Sequence, residues 1–177
     1  MLKTRMLLIA AAALLAMTMS DSLQAQVVPA RLTGAGAFNS SDLSFGGEAV
    51  GNHFGTCTFA GNANLFPLDG TGLYLGYVAP DLYTAANGDT LELLGIGTVT
   101  LTPVDVNENG EPIFTALWDG TWTVVPTADG GNNTGRFENA TGSYELEAEN
   151  LPFAFSDPFW YFNYTKTGSL DLGRRKN

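Results

Sequence analysis

The clearest pattern along the chain runs from Tyr144 to Glu149, where Tyr144, Leu146 and Ala148 alternate with Glu145, Glu147 and Glu149. Successive side chains of an extended strand point to opposite faces, so this spacing predicts a strand with one dry and one wet side. The same period recurs elsewhere. Leu91, Leu93, Val99 and Leu101 share a parity against Thr90, Glu92, Thr98, Thr100 and Thr102, with Leu94 and Ile96 as apolar intrusions. Ala116, Trp118, Gly120, Trp122 and Val124 form another stripe, opposed by Thr115, Asp119, Thr121 and Thr123. Shorter candidate strands cover residues 44–50, 54–60, 73–79, 159–164 and 167–172. Turn chemistry separates them at Asn87-Gly88-Asp89, at 107–110, at Asp129-Gly130-Gly131 and at Leu151-Pro152. Asn87-Gly88 before Leu91 is the strongest hairpin signal, because tight hairpin turns need positive φ. Helical periodicity is absent beyond the first 25 residues. About seven to nine strands at this spacing imply one all-β, antiparallel sandwich or barrel.

The amino-terminal segment reads differently. Lys3 and Arg5 precede an apolar run over 6–17 that is too short to span a bilayer comfortably, the pattern of an export signal. Leu23-Gln24-Ala25 suits a cut ahead of Gln26, with a cut after Ser20 as the alternative. The expected organisation is a signal peptide over 1–25, an extension over 26–43, a β-domain over 44–172 and a basic tail over 173–177. The expected location is secreted or periplasmic, with no membrane association after cleavage.

Charge narrows the partners. Eight basic residues face eighteen acidic ones, a net charge of −10. In the body of the chain only Arg31, Arg136 and Lys166 are cationic, while Arg174, Arg175 and Lys176 sit in the tail. Such a surface repels phosphate backbones, so nucleic acid is not expected as a partner. Cys57 is the sole cysteine, which excludes an intramolecular disulfide and suits a buried small hydrophobe. With one histidine and one cysteine, the usual nitrogen and sulfur ligand sets cannot be assembled, and no metal or other cofactor is expected.

Three segments carry a family resemblance. Gly51-Asn52-His53-Phe54-Gly55-Thr56-Cys57-Thr58 resembles a Thr-His-Leu-Gly-x-Phe-Thr strand start. Thr84 to Leu91 contains the Ala-Asn-Gly-Asp hairpin, and Thr134 to Ser143 matches Thr-Gly-Arg-Phe-x-x-Ala-x-Gly. Read in order over roughly Gly47 to Leu172, they resemble the secreted bacterial allene oxide cyclase-like proteins, distantly similar to plant allene oxide cyclases and dirigent proteins. The resemblance implies an eight-stranded, calycin-like closed barrel. It departs at Asn52, Phe54 and Cys57, and in the stretched entry Gly130-Gly131-Asn132-Asn133-Thr134-Gly135. The plant enzymes' catalytic residues match no motif here, so no catalytic residue is carried over.

Five residues are candidates for lining an interior. His53 shares parity with Gly55, Cys57 and Phe59, so it is expected to point inward, as a base, a ligand contact or a histidine satisfied by backbone. Arg136 offers a fork for a carboxylate, either a ligand's or a neighbouring acid's at the barrel rim. Trp118, Trp122 and Tyr144 lie on dry faces, where they would wall a pocket or fill it. Phe137 and Ala140 are expected to plug one end. Asp105 to Gly110 opens like a calcium loop, but Ala116 occupies the twelfth position, so it reads as a hairpin loop. The aromatic run 153–164 is either buried strand or an exposed contact patch.

These features favour a non-catalytic, secreted barrel that binds a small apolar molecule or serves a structural role. Dry-face aromatics without a paired acid and base carry that expectation. One alternative is a cofactor-free isomerase or cyclase that steers an apolar intermediate, which the resemblance alone suggests. A second is an oligomeric envelope protein that associates through 153–164.

Overall fold

The computed structural model describes residues 27–173. The export-signal segment and the Arg174, Arg175 and Lys176 tail lie outside the described residues. Nine strands follow in order: β1 Val27–Asn39, β2 Ser44–Gly51, β3 Gly55–Asn62, β4 Asn64–Pro67, β5 Tyr74–Ala85, β6 Thr90–Val106, β7 Pro112–Val124, β8 Thr141–Asn150 and β9 Phe159–Asp171. Helix among the described residues is confined to two short 3-10 turns, Thr127–Asp129 and Gly135–Phe137. Every pairing is antiparallel, in the order β3-β2-β1-β9-β8-β7-β6-β5-β4. A further pairing of β3 with β5, from Cys57↔Ala85 to Gly61↔Asp81, joins eight of the strands into a ring. β4 continues β3 past the buried Ala63 and pairs with the first half of β5.

The alternation seen in the sequence sets the inner face. Tyr144 and Leu146 are buried, while Glu145, Glu147 and Glu149 are exposed. On β6 the leucines at 91, 93 and 101 and Val99 face inward; Leu94 and Ile96 break the pattern by standing on the outer face, Ile96 at 58% exposure. Two expectations change. Residues 27–39, read as part of an extension, form β1, which pairs with β2 on one side and β9 on the other. The separate strands expected over 159–164 and 167–172 are one continuous strand, β9.

Each difference has its own cause. β1 carries Gly34 and Gly36 on its inner parity, and they interrupt the stripe of buried Ala30, Leu32 and Phe38. A Cβ on Gly34 would lie 2.7 Å from the Tyr164 ring, and one on Gly36 would lie 2.9 Å from the Phe162 ring. The bulk missing from β1 is thus supplied by β9. The 159–171 stripe had been broken at Lys166, which is buried on the same parity as Tyr164.

The two ends of the ring differ. At one end Phe54, in the turn between β2 and β3, stacks on Phe137 at 4.5 Å between ring centroids. Phe137 and Ala140 are fully buried there, as expected of a plug. The other end is walled by Phe38 and Phe45, whose rings are 5.1 Å apart, and by the buried Ala63.

Candidate functional site

Inside the ring lies a cavity with about 40 Å³ of room for the centre of a water-sized sphere, walled by Phe38, Phe59, Tyr77, Trp118 and Phe162, with Lys166 and Asp81 among its lining. On the usual scale of about 10–15 Å³ per water, this is space for roughly three water molecules. Phe38 stacks on Trp118 at 4.9 Å, and Phe59 meets Tyr164 edge-on at 5.2 Å. Aromatic side chains therefore fill most of the interior and leave a residual cavity.

The polar part of that interior was not anticipated. Asp81 and Lys166, eighty-five residues apart, form an ion pair of 2.7 Å with side-chain exposures of 1% and 3%. Asp81 comes from β5, on the stripe Tyr77, Ala79, Asp81 and Tyr83; Lys166 comes from β9, on the stripe Phe162, Tyr164 and Lys166. The ammonium lies 3.2 Å from the centroid of the Trp122 ring and 5.0 Å from that of Tyr83. A cation placed over an indole face is attracted by the ring quadrupole, which partly replaces lost water. Tyr83 donates a hydrogen bond to the Tyr164 hydroxyl at 2.9 Å beside the pair. Two polar atoms have no hydrogen-bond partner here, Asp81 Oδ1 and the Tyr144 hydroxyl.

Burial governs these titrations. Removal from water pushes the Asp81 carboxyl up to about 6, against the opposing pull of Lys166. It pushes Lys166 down to about 8, against the opposing pull of Asp81. The hydroxyls of Tyr83, Tyr144 and Tyr164 are held above the ordinary tyrosine range, in each case chiefly by burial.

The five sequence candidates divide into two groups. Trp118, Trp122 and Tyr144 are buried within the ring. Trp118 Nε1 donates to Asn150 Oδ1 at 2.6 Å, and Trp122 Nε1 donates to the Tyr77 hydroxyl at 3.2 Å. His53 and Arg136 are at the plugged end, outside the cavity lining. The inward placement expected for His53 is corrected: it stands in the turn between β2 and β3, half-buried, where strand parity no longer applies. Its Nε2 donates to the Pro29 carbonyl at 2.9 Å, which fixes the proton on that nitrogen. Arg136 pairs with Asp89 at 2.9 Å and donates to the His53 carbonyl at 3.0 Å. Its fork is thus occupied by the chain's own groups.

The remaining candidates are structural. Cys57 is buried, donates weakly to the Ala49 carbonyl at 3.5 Å, and has its thiol pushed up to about 11 by burial. Asn107 Oδ1 accepts from the backbone N–H groups of Asn109 and Glu111, the local closure of a hairpin loop. Among the described residues no group of three or more His, Cys, Asp or Glu side chains is placed to hold a metal ion. In the aromatic run, Phe153, Trp160, Phe162 and Tyr164 are buried, whereas Phe155, Phe159 and Tyr161 are exposed.

The one sequence trace of Lys166 and Asp81 is their parity, which by itself reads as the end of a dry stripe. Each extends an apolar stripe by one step of two, Tyr77-Ala79 to Asp81 and Phe162-Tyr164 to Lys166. Their pairing depends on strands on opposite sides of the ring and has no local trace. Comparison with known proteins finds no matching family model, no matching curated protein and no matching solved structure.

Proposed function

We propose that the protein is a secreted, closed, calycin-like β-barrel of the allene oxide cyclase-like kind that binds a small, largely apolar molecule without transforming it. One observation supports this above the others: a cavity of about 40 Å³ with aromatic, apolar walls inside the ring. An enclosed apolar lining of this kind suits an apolar guest. The cavity's size favours a guest of a few heavy atoms over the bulky intermediate that an isomerase or cyclase of the resembled family would enclose. The oligomeric reading draws on Phe155, Phe159 and Tyr161, three exposed aromatics close together in sequence.

Native mass spectrometry of the mature protein soaked with short-chain alcohols and ketones tests the binding reading. Saturable one-to-one adducts are expected, with quenching of tryptophan fluorescence because Trp118 and Trp122 flank the cavity. No adduct and no quenching would remove it. Size-exclusion chromatography separates the oligomeric reading, for which a monomer at high concentration is the adverse result.

A further inference from the structure

Many of the side chains that wall the cavity have polar tips, yet the wall presents no polar surface to the space. The tips are engaged elsewhere. Trp122 Nε1 donates to the Tyr77 hydroxyl at 3.2 Å, and the Tyr83 hydroxyl donates to that of Tyr164 at 2.9 Å. Trp118 Nε1 donates outside the lining, to Asn150 Oδ1 at 2.6 Å. The Lys166 ammonium is held by Asp81 Oδ2 at 2.7 Å and lies against the Trp122 ring. The second Asp81 oxygen has no partner, and it adds no surface to the space either. What a guest meets is the apolar part of each side chain.

Such a wall sorts guests by what they lack. A hydroxyl or carbonyl carried into it leaves its water partners behind and finds no replacement. A hydrocarbon gives up no hydrogen bond and gains dispersion contacts with the packed rings. Water fits no better than an alcohol, because an enclosed water needs about two to four polar partners and this surface offers none.

We infer that the cavity is a binding site for an unfunctionalised hydrocarbon of about three carbons, selected against alcohols and ketones of the same size. The inference rests on the binding reading and adds the class of guest. The length follows from the volume, which matches about three heavy atoms at one per water-sized space. Alcohols and ketones occupy the same space, but only at far higher concentration.

Propane and ethanol make the test, because they have the same number of heavy atoms and differ by a methyl group against a hydroxyl. Each is titrated into the isotope-labelled mature full chain, propane under pressure, while the tryptophan indole N–H signals are followed by NMR. Trp118 and Trp122 line the cavity. Trp160, which donates to the Ala154 carbonyl outside that lining, is the internal reference. Propane is expected to shift the Trp118 and Trp122 signals saturably and to spare Trp160. Ethanol is expected to need about a hundredfold higher concentration for the same shift. Two variants on different strands fill the space, A79L on β5 and L146F on β8. Whichever folds, judged by an unchanged Trp160 signal, is expected to abolish the propane shift. The titration of the parent decides the proposal by itself. Ethanol binding as tightly as propane, or more tightly, overturns the selection against polar guests and keeps the binding reading. Propane shifts that survive a filled variant overturn the assignment to this cavity. No saturable shift by either compound removes both readings.

Discussion

Two ion pairs of similar length occupy opposite environments in this molecule. Arg136–Asp89 spans 2.9 Å at the plugged end, with side-chain exposures of 34% and 18%. Lys166–Asp81 spans 2.7 Å inside the ring, almost without exposure. At the end, Asn87 and Arg136 hydrogen bonds hold the Asp89 carboxyl below the usual carboxylate range. Inside, burial drives Asp81 the other way. Contact geometry is thus nearly the same while the sign of the titration shift is reversed. The dielectric surroundings, and not the distance, decide what a charge pair does for a protein.

The largest effect expected follows from breaking the inner pair on one side. K166M removes the cation and leaves Asp81 buried with no opposite charge, a loss of about 3–5 kcal/mol in unfolding free energy by urea titration near pH 8. The loss is expected to shrink toward pH 5, because a protonated Asp81 no longer buries a charge. A K166M protein as stable as the parent at pH 8 would show that the interior is better hydrated than the 1% exposure of Asp81 implies. Removing both charges gives the next effect. D81L/K166M exchanges a desolvated pair for apolar volume and is expected to be neutral or more stable by about 1–4 kcal/mol. A double variant less stable than the parent would mean that the pair supplies a net attraction beyond its desolvation cost.

The pH dependence of the parent relative to that double variant is smaller and has a definite shape. A carboxyl raised in the folded state contributes stability at low pH that is lost as pH rises through about 6. A lysine lowered in the folded state binds its proton less tightly than the unfolded chain does, so its contribution is lost as pH falls through about 8. The parent's deficit is therefore expected to be deepest between about pH 6 and 8 and to shrink on both sides. Urea midpoints of the two proteins followed from about pH 4 to about pH 10 measure it, and a difference that stays flat over that whole span would contradict the burial of the pair.

The same contrast explains what the sequence could and could not disclose. The Arg136–Asp89 setting was legible because both residues belong to turn motifs, Asn87-Gly88-Asp89 and Thr134-Gly135-Arg136-Phe137, whose local chemistry is written in adjacent residues. The stripe Tyr144, Leu146, Ala148 was legible because strand alternation is local. β1 was hidden, since Gly34 and Gly36, which β9 aromatics cover, part Ala30 and Leu32 from Phe38 on its inward side, and glycine carries no hydropathic mark. Asp81 and Lys166 were hidden because a charge on a dry stripe reads as the end of a strand. Only its partner across the ring turns that interruption into a buried pair. His53 shows a further limit: parity counted back from β3 fails once the chain enters the turn at Asn52.

The smallest effect belongs to the outer pair. R136A removes the bond to Asp89 and the donation to the His53 carbonyl, yet both partners regain water at the rim. The expected loss is several-fold below that of K166M, because exposed pairs exchange one set of hydrogen bonds for another. Added salt should shrink it further, since screening acts on exposed charges far more than on buried ones. K166M should keep its deficit in the same buffers. If R136A were instead as damaging as K166M and indifferent to salt, its guanidinium would have to anchor Phe137 over Phe54 and hold the plug in place. The two ends of the ring would then depend on charge and on aromatic packing together, rather than on packing alone.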